Sequence, residues 1–245
     1  MSNLMMTHLV AGYPDKETSE QILNLLCKYS RYVEVQIPFN DPIADGTVIS
    51  DANNVAIGNN MDLEGVFQLM NRRHKNTDCE ILIMTYYHRI YTYGLEPFLD
   101  LCQKSGVVGC IIPDIPFDTV DGEQLLLEMK KRDLALIPVI APSTPSRRIK
   151  NMIGNIKSPF LYAISTNAIT GSNVNFEKNV HIYTNKIREV YKGKIGVGFG
   201  VKTITDIIHI RNSGAFPILG SVLITIFQQS GLIGLEKFLQ EITKI

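Results

Sequence analysis

VEVQIPFNDPIADG, residues Val33 to Gly46, begins as an apolar strand and ends as an acidic loop, and the rest of the chain is read from it. Val33, Val35 and Ile37 alternate with Glu34 and Gln36, so Glu34 and Gln36 share one face of the strand. Pro38 ends the strand, and Asp41 and Asp45 follow on the loop behind it. A carboxylate inside an apolar strand costs stability unless it is paired or put to use. Two readings fit these residues: a core glutamate satisfied by a partner and followed by a solvated turn, or an acid facing a cavity.

Outward from this run the chain keeps a regular rhythm. Strands are expected at Met5–Val10, Tyr32–Ile37, Glu80–Tyr86, Val107–Ile112, Ala135–Ile140, Pro159–Ile164, Ile195–Val197 and Phe216–Leu219. Between them lie segments of helical period, such as Glu20–Tyr29 with Ile22, Leu25, Leu26 and Tyr29 on one face, and Gly122–Arg132 with Leu125, Leu126 and Met129. Apolar strands separated by helices predict a parallel sheet covered on its outside. Eight such units in 245 residues, with no Pro/Gly/Ser-rich linker, fit a single closed (β/α)₈ TIM barrel spanning 1–245. In such barrels the active site lies at the C-terminal ends of the strands, where Glu34 and the DPIADG loop fall.

Composition excludes several classes. With 24 basic and 24 acidic residues the net charge is zero, which leaves no basic face for nucleic acid or an anionic membrane. The N-terminus lacks the features of a signal peptide, and no run reaches the roughly 18 consecutive apolar residues of a membrane span. The expectation is a soluble, cytoplasmic protein. Cys27, Cys79, Cys102 and Cys110 form no CxxC pair and read as reduced core residues.

Glycines give a second signal. Gly198-Phe199-Gly200 follows the seventh strand, Gly220-Ser221 follows the eighth, and Ile169-Thr170-Gly171 lies in the loop after the sixth. Barrels commonly bind phosphate at the loops after strands seven and eight, where small residues and helix N-termini present backbone N–H groups. A dinucleotide fold fits poorly: the motif comes late, lacks the full GxGxxG, and has no acidic residue about 20 positions on.

Taken in order, IPFNDPIADG, IMTYYHRIYTYG, IIPDIP, YAISTNAITG, GFG and ILGS resemble the tryptophan synthase alpha chain family over the whole barrel. The resemblance implies retro-aldol cleavage of indole-3-glycerol phosphate to indole and glyceraldehyde 3-phosphate. It implies no cofactor in this chain, and a partner β subunit that carries pyridoxal phosphate in an α2β2 assembly. By position it makes Glu34 and Asp45 the catalytic carboxylates, and Tyr162 and Thr170 residues of the site and its loop. Gly171, Gly200, Gly220 and Ser221 match the phosphate clamp, and Asp41-Pro42 falls on the face expected to meet the β subunit. Gln36 stands where the family usually has Gly, Thr47 where it has Pro, His88 where Asn is common and Ala168 where Gly is common. The N-terminal helix that usually covers the barrel floor is expected to be short or absent.

The reaction explains these residue types. Glu34, semi-buried among aliphatic neighbours, is expected to have a raised pKa and to move protons to indole C3 and from the side-chain hydroxyl. Asp45, on a polar loop, is expected to stay ionised and to hold the indole N1–H. Gln36 shares the face of Glu34 and is expected to crowd or hydrogen-bond it. Met84, Ile111, Phe199 and Tyr86 are candidate walls for the indole ring, whereas His88 reads as a surface residue. Two other readings stand beside this one. A Mg²⁺-dependent lyase would use Glu34, Asp41 and Asp45 as ligands, and a weakly active or non-catalytic barrel would serve only to activate a β subunit.

Overall fold

A computed structural model of the chain describes residues 4–42, 45–73, 77–165 and 176–245. The elements run β1 (Met6–Val10), α1 (Lys16–Tyr29), β2 (Tyr32–Gln36), α2 (Thr47–Gly58), α3 (Leu63–Arg72), β3 (Glu80–Met84), α4 (Tyr87–Tyr93), α5 (Leu95–Lys104), β4 (Val107–Ile111), α6 (Val120–Lys131) and β5 (Ala135–Leu136). They continue with β6 (Val139–Ile140), α7 (Ser146–Asn155), β7 (Phe160–Ile164), α8 (Phe176–Arg188), β8 (Lys194–Gly198), α9 (Ile204–Asn212), β9 (Phe216–Leu219) and α10 (Ser221–Thr243). β1 is the first described element, and no helix precedes it among the described residues. Two compact units emerge: Thr7–Leu136, and Ile137–Ile245 together with the N-terminal residues through Met6.

In the first unit the strands lie in the order β5-β4-β3-β2-β1. The pairs of β2 with β3, β3 with β4 and β4 with β5 are parallel, with Glu34 opposite Leu82 and Gln36 opposite Met84. Hydrogen bonds continue past the strand ends, with Ala11 N donating to Gln36 O at 3.1 Å, Ile37 N to Met84 O at 3.0 Å and Thr85 N to Ile111 O at 3.1 Å. This fixes the height at which side chains leave the C-terminal ends of β1 to β4. The helices start on residues suited to the task. Asp15 caps α1 by accepting from Thr18 N at 2.8 Å, Asp62 caps α3 by accepting from Gly65 N at 2.8 Å, and Thr119 caps α6. Ile22, Leu23, Leu26 and Cys27 then form the buried stripe of α1.

Gly109 on β4 is a packing requirement rather than a turn. A Cβ built there presses into the carbonyl oxygen of Ala135 and lies 3.0 Å from its Cβ. Gly109→Ala is therefore expected to part β4 from β5 and cost about 1–3 kcal/mol, read as a fall in melting temperature. An unchanged melting temperature would mean that β5 yields without loss.

In the second unit β6, β7, β8 and β9 pair in that order, all parallel. Tyr183 on α8 donates from its hydroxyl to Ile140 O at 2.9 Å, tying the helix to β6. The strand expected at Ala135–Ile140 is two short strands, β5 and β6, separated by Ile137-Pro138. Pro138 has no N–H for a ladder, while its carbonyl accepts from Tyr162 N at 3.0 Å. α10 departs from the sequence expectation too. By length and composition it is apolar enough to cross a membrane, a property that Gln228-Gln229-Ser230 hid by splitting the apolar run. Its backbone kinks at Gly231 (φ +60°), and Leu223, Ile224, Leu235, Leu239 and Ile242 are buried. The four cysteines are unpaired thiols, with Cys27, Cys102 and Cys110 buried.

Candidate active site

The first unit gathers its chemistry at the ends of β1 to β3. Glu34 is buried at 4% exposure, on the face it shares with Gln36. Its Oε2 lies 3.0 Å from Nδ1 of His8 on β1, which is also buried. The buried acid thus has a partner, and its isolation in an apolar strand is a property of the sequence alone. For His8, burial opposes the charged form, but the charge and hydrogen bond of Glu34, with contributions from Asp45 and Gln36, outweigh it and raise the imidazole pKa.

Asp45 sits half-buried before α2, with Asp45 N donating to Pro42 O at 2.9 Å. Buried Asn53 on α2 steadies the loop by accepting from Phe39 N at 3.0 Å. Gln36 Nε2 donates to Asp45 Oδ2 at 2.6 Å, and the Tyr86 hydroxyl reaches the same oxygen at a long 3.5 Å. The polar surroundings expected for this acid are not what the structure gives it. Burial, reinforced by Glu34, pushes the Asp45 pKa up, against the lowering effects of His8, Gln36 and Tyr86. The loop folds back over the strand ends, so its polar sequence does not give a polar environment. Gln36 likewise bonds to Asp45, where the sequence suggested Glu34.

Met84, Tyr86 and Ile111, proposed as walls, are all buried at the ends of β3 and β4. Phe39 adds a ring that sequence reasoning overlooked, 5.1 Å from that of Tyr86 between centroids. Asp41 is exposed and Pro42 half-buried. No group of three His, Cys, Asp or Glu side chains able to hold a metal occurs among the described residues.

The second unit carries the glycine-rich ends. Tyr162 on β7 lies over Gly198, where a Cβ would stand 2.8 Å from its ring, and its ring centroid is 6.1 Å from that of Phe199. Phe199 and Gly200 both take positive φ, +66° and +79°, turning the chain sharply after β8, and the Ser165 hydroxyl holds the Phe199 carbonyl. The two helix starts differ. At α9, Thr203 and Asp206 form a capping box, and Asp206 Oδ2 accepts from Lys202 N at 2.9 Å and Thr203 N at 2.8 Å. At α10, Gly220 caps without a side chain and no acid occupies the first turn. Of the two, the Gly220-Ser221 end is the one with no side-chain cap and no acid against its dipole among the described residues, while Leu223 N donates to Gly220 O at 2.9 Å. Thr170, Gly171 and Ala168 lie outside the described residues.

The missed residue is His8. Its signal was present in the sequence: MTHLV puts His8 on one strand face with Met6 and Val10, in a strand adjacent to that of Glu34.

Comparisons with known proteins agree on one family. The family model for the tryptophan synthase alpha chain matches residues 1–243. The tryptophan synthase alpha chain of Desulforapulum autotrophicum is 31% identical over 240 residues, 98% of this chain and 94% of that protein. Its counterpart from Campylobacter jejuni is 31% identical over 99% of this chain and 96% of its own length. Among solved structures, the C. jejuni subunit alpha superposes with a TM-score of 0.84 at 30% identity, covering 98% of this chain and 96% of that one. A mutant alpha-subunit from Pyrococcus furiosus gives 0.87 at 29%, over 99% and 98%.

Proposed function

The chain belongs to the tryptophan synthase alpha chain family, whose fold is the (β/α)₈ barrel, and from that premise we propose that it cleaves indole-3-glycerol phosphate to indole and glyceraldehyde 3-phosphate as a single lyase domain spanning 1–245. The observation that carries this reading is the joining of Glu34 and Asp45 in one side-chain network, His8 on the first acid and Gln36 on the second. Cleavage needs a proton delivered to indole C3, a proton removed from the glycerol hydroxyl beside the breaking bond, and a counter-charge as positive charge grows on indole N1. Glu34 serves the proton transfers and Asp45 the N1–H. Electrons of the breaking bond return to the ring as the C3–H bond forms.

Met84, Tyr86 and Ile111 are proposed to wall the indole ring, and Tyr162 and Phe199 keep the substrate-lining roles expected from the sequence. Gly171, with Gly200, Gly220 and Ser221, takes the phosphate, and Thr170 lines the site and its loop, as the family resemblance assigns them. The chain carries no cofactor of its own; pyridoxal phosphate belongs to the β subunit. Purified chain supplied with indole-3-glycerol phosphate should release indole, and EDTA should leave the rate unchanged. A rate that collapses with EDTA and returns with Mg²⁺ would favour the metal-dependent reading.

Members of this family pair with a β subunit, and this chain is proposed to do so in the cytoplasm as α2β2, through Asp41-Pro42 and the loop after β7. Docking on Asp41 and Pro42 moves the same loop that carries Asp45, so the bound β subunit should raise the rate. Titration of β subunit into the indole assay tests this. No change in rate, together with no co-elution at micromolar concentration, would remove the partnership for that β subunit.

A further inference from the structure

We propose that His8 and Gln36 form a bridge between the two carboxylates, with His8 the positioning residue for Glu34 and Gln36 the positioning residue for Asp45. The inference rests on the acid–base roles proposed above, and concerns what sets those acids in place. The geometry supplies both ends of the bridge, His8 Nδ1 to Glu34 Oε2 at 3.0 Å and Gln36 Nε2 to Asp45 Oδ2 at 2.6 Å. The Gln36 side chain also acts on His8, as a hydrogen-bonding influence that favours the charged imidazole. His8, Glu34 and Gln36 are all buried, so their side chains have few alternative partners and little freedom to turn away. His8 Nε2 and Gln36 Oε1 are buried with no hydrogen-bond partner among the described residues, which leaves the middle of the bridge to close on small movement.

Gln36 bonds directly to the acid on the loop. It ties up an Asp45 oxygen, and the loop bearing Asp45 is thereby linked to the face of β2 that bears Glu34. His8 commits Glu34 Oε2, so Oε1 is the oxygen that serves the substrate. The proton balance of cleavage is unaffected. The substrate O–H breaks and a C3–H forms through Glu34, and the pair His8–Glu34 ends with the protons it began with.

Groups facing His8 in the first unit are Glu34 on β2 and Asp45 on the following loop, with the Tyr86 hydroxyl beside Asp45. Because the imidazole pKa is raised, the native state holds this proton above the ordinary 6.5 while the unfolded chain has lost it. Its contribution to stability is therefore full below about pH 6.5 and is lost as pH rises through the native value.

The test compares wild type, His8→Gln, Gln36→Leu and the double variant in the indole assay across pH 6 to 9, alone and with β subunit. His8→Gln should lower kcat about 10-fold or more with KM within about two-fold, as expected when a group is misplaced rather than unbound. It should also remove the limb of the wild-type pH profile that follows His8. The double variant should lose less than the product of the single losses, because each single change breaks the same bridge. Wild-type kcat and pH profile in His8→Gln, or strictly multiplicative losses, overturn the bridge while leaving the lyase intact. A wild type without lyase activity in any condition overturns the proposed function, and the bridge's role falls with it. Should His8→Gln not fold, the His8 imidazole titration followed by NMR replaces it. That titration should move down in Glu34→Gln, and an unmoved titration overturns the pairing.

Discussion

Glu34→Gln should leave a folded protein whose indole release is about 10²- to 10⁴-fold slower, the usual contribution of a general acid–base group. Glutamine keeps the size of the side chain and an oxygen that can still accept from His8 Nδ1, so the buried pocket is not emptied. What it lacks is a proton that can be given and regained. Asp45→Asn should also be damaging, through loss of the charge opposite indole N1 rather than of a proton carrier. Indole release, with thermal melting to certify folding, makes the measurement. A Glu34→Gln enzyme at near-wild-type rate would end the assignment.

The second large effect is expected at the phosphate end. Gly220→Val puts a branched side chain at the N-terminus of α10, where no side chain caps the helix among the described residues. Gly200→Val adds the same bulk at a residue whose φ of +79° a β-branched side chain resists. A hydrogen bond to a charged group contributes roughly 1.5–3 kcal/mol, so loss of one backbone donor to phosphate should raise KM about 10- to 100-fold. Thr203→Ala gives the contrast. The start of α9 is already satisfied by Asp206, so breaking its cap should affect stability and leave phosphate affinity alone. Unchanged KM in both glycine variants would remove the clamp from this position.

Much of the molecule was legible in advance, for identifiable reasons. Strands at 32–37 and 107–112 appeared within a residue of expectation, because alternation and apolar runs report burial directly. Ala135–Ile140 was read as one strand because Val139 and Ile140 continue the apolar pattern past Pro138, and an apolar pattern does not record a missing N–H. The helical segment expected at Glu20–Tyr29 ends where α1 does but starts four residues inside it, because periodicity reports the apolar stripe and not the Asp15 cap.

For the site, the sequence by itself determined which residues are present and in what order: a carboxylate inside an apolar strand, an aspartate on the loop behind it, and glycines after two later strands. Their order sufficed to suggest the family to which the comparisons assign the chain. Only the tertiary structure decided who partners whom. His8 and Glu34 are 26 positions apart, and no local pattern can report that neighbouring strands bring them to 3.0 Å. Gln36 reaches Asp45 because the loop folds back over the strand ends, and that same fold buries Asp45 and raises its pKa against the reading of its polar neighbours in sequence. Periodicity fixes the face on which a side chain emerges, whereas hydrogen bonds and charge depend on distances that only the folded chain sets.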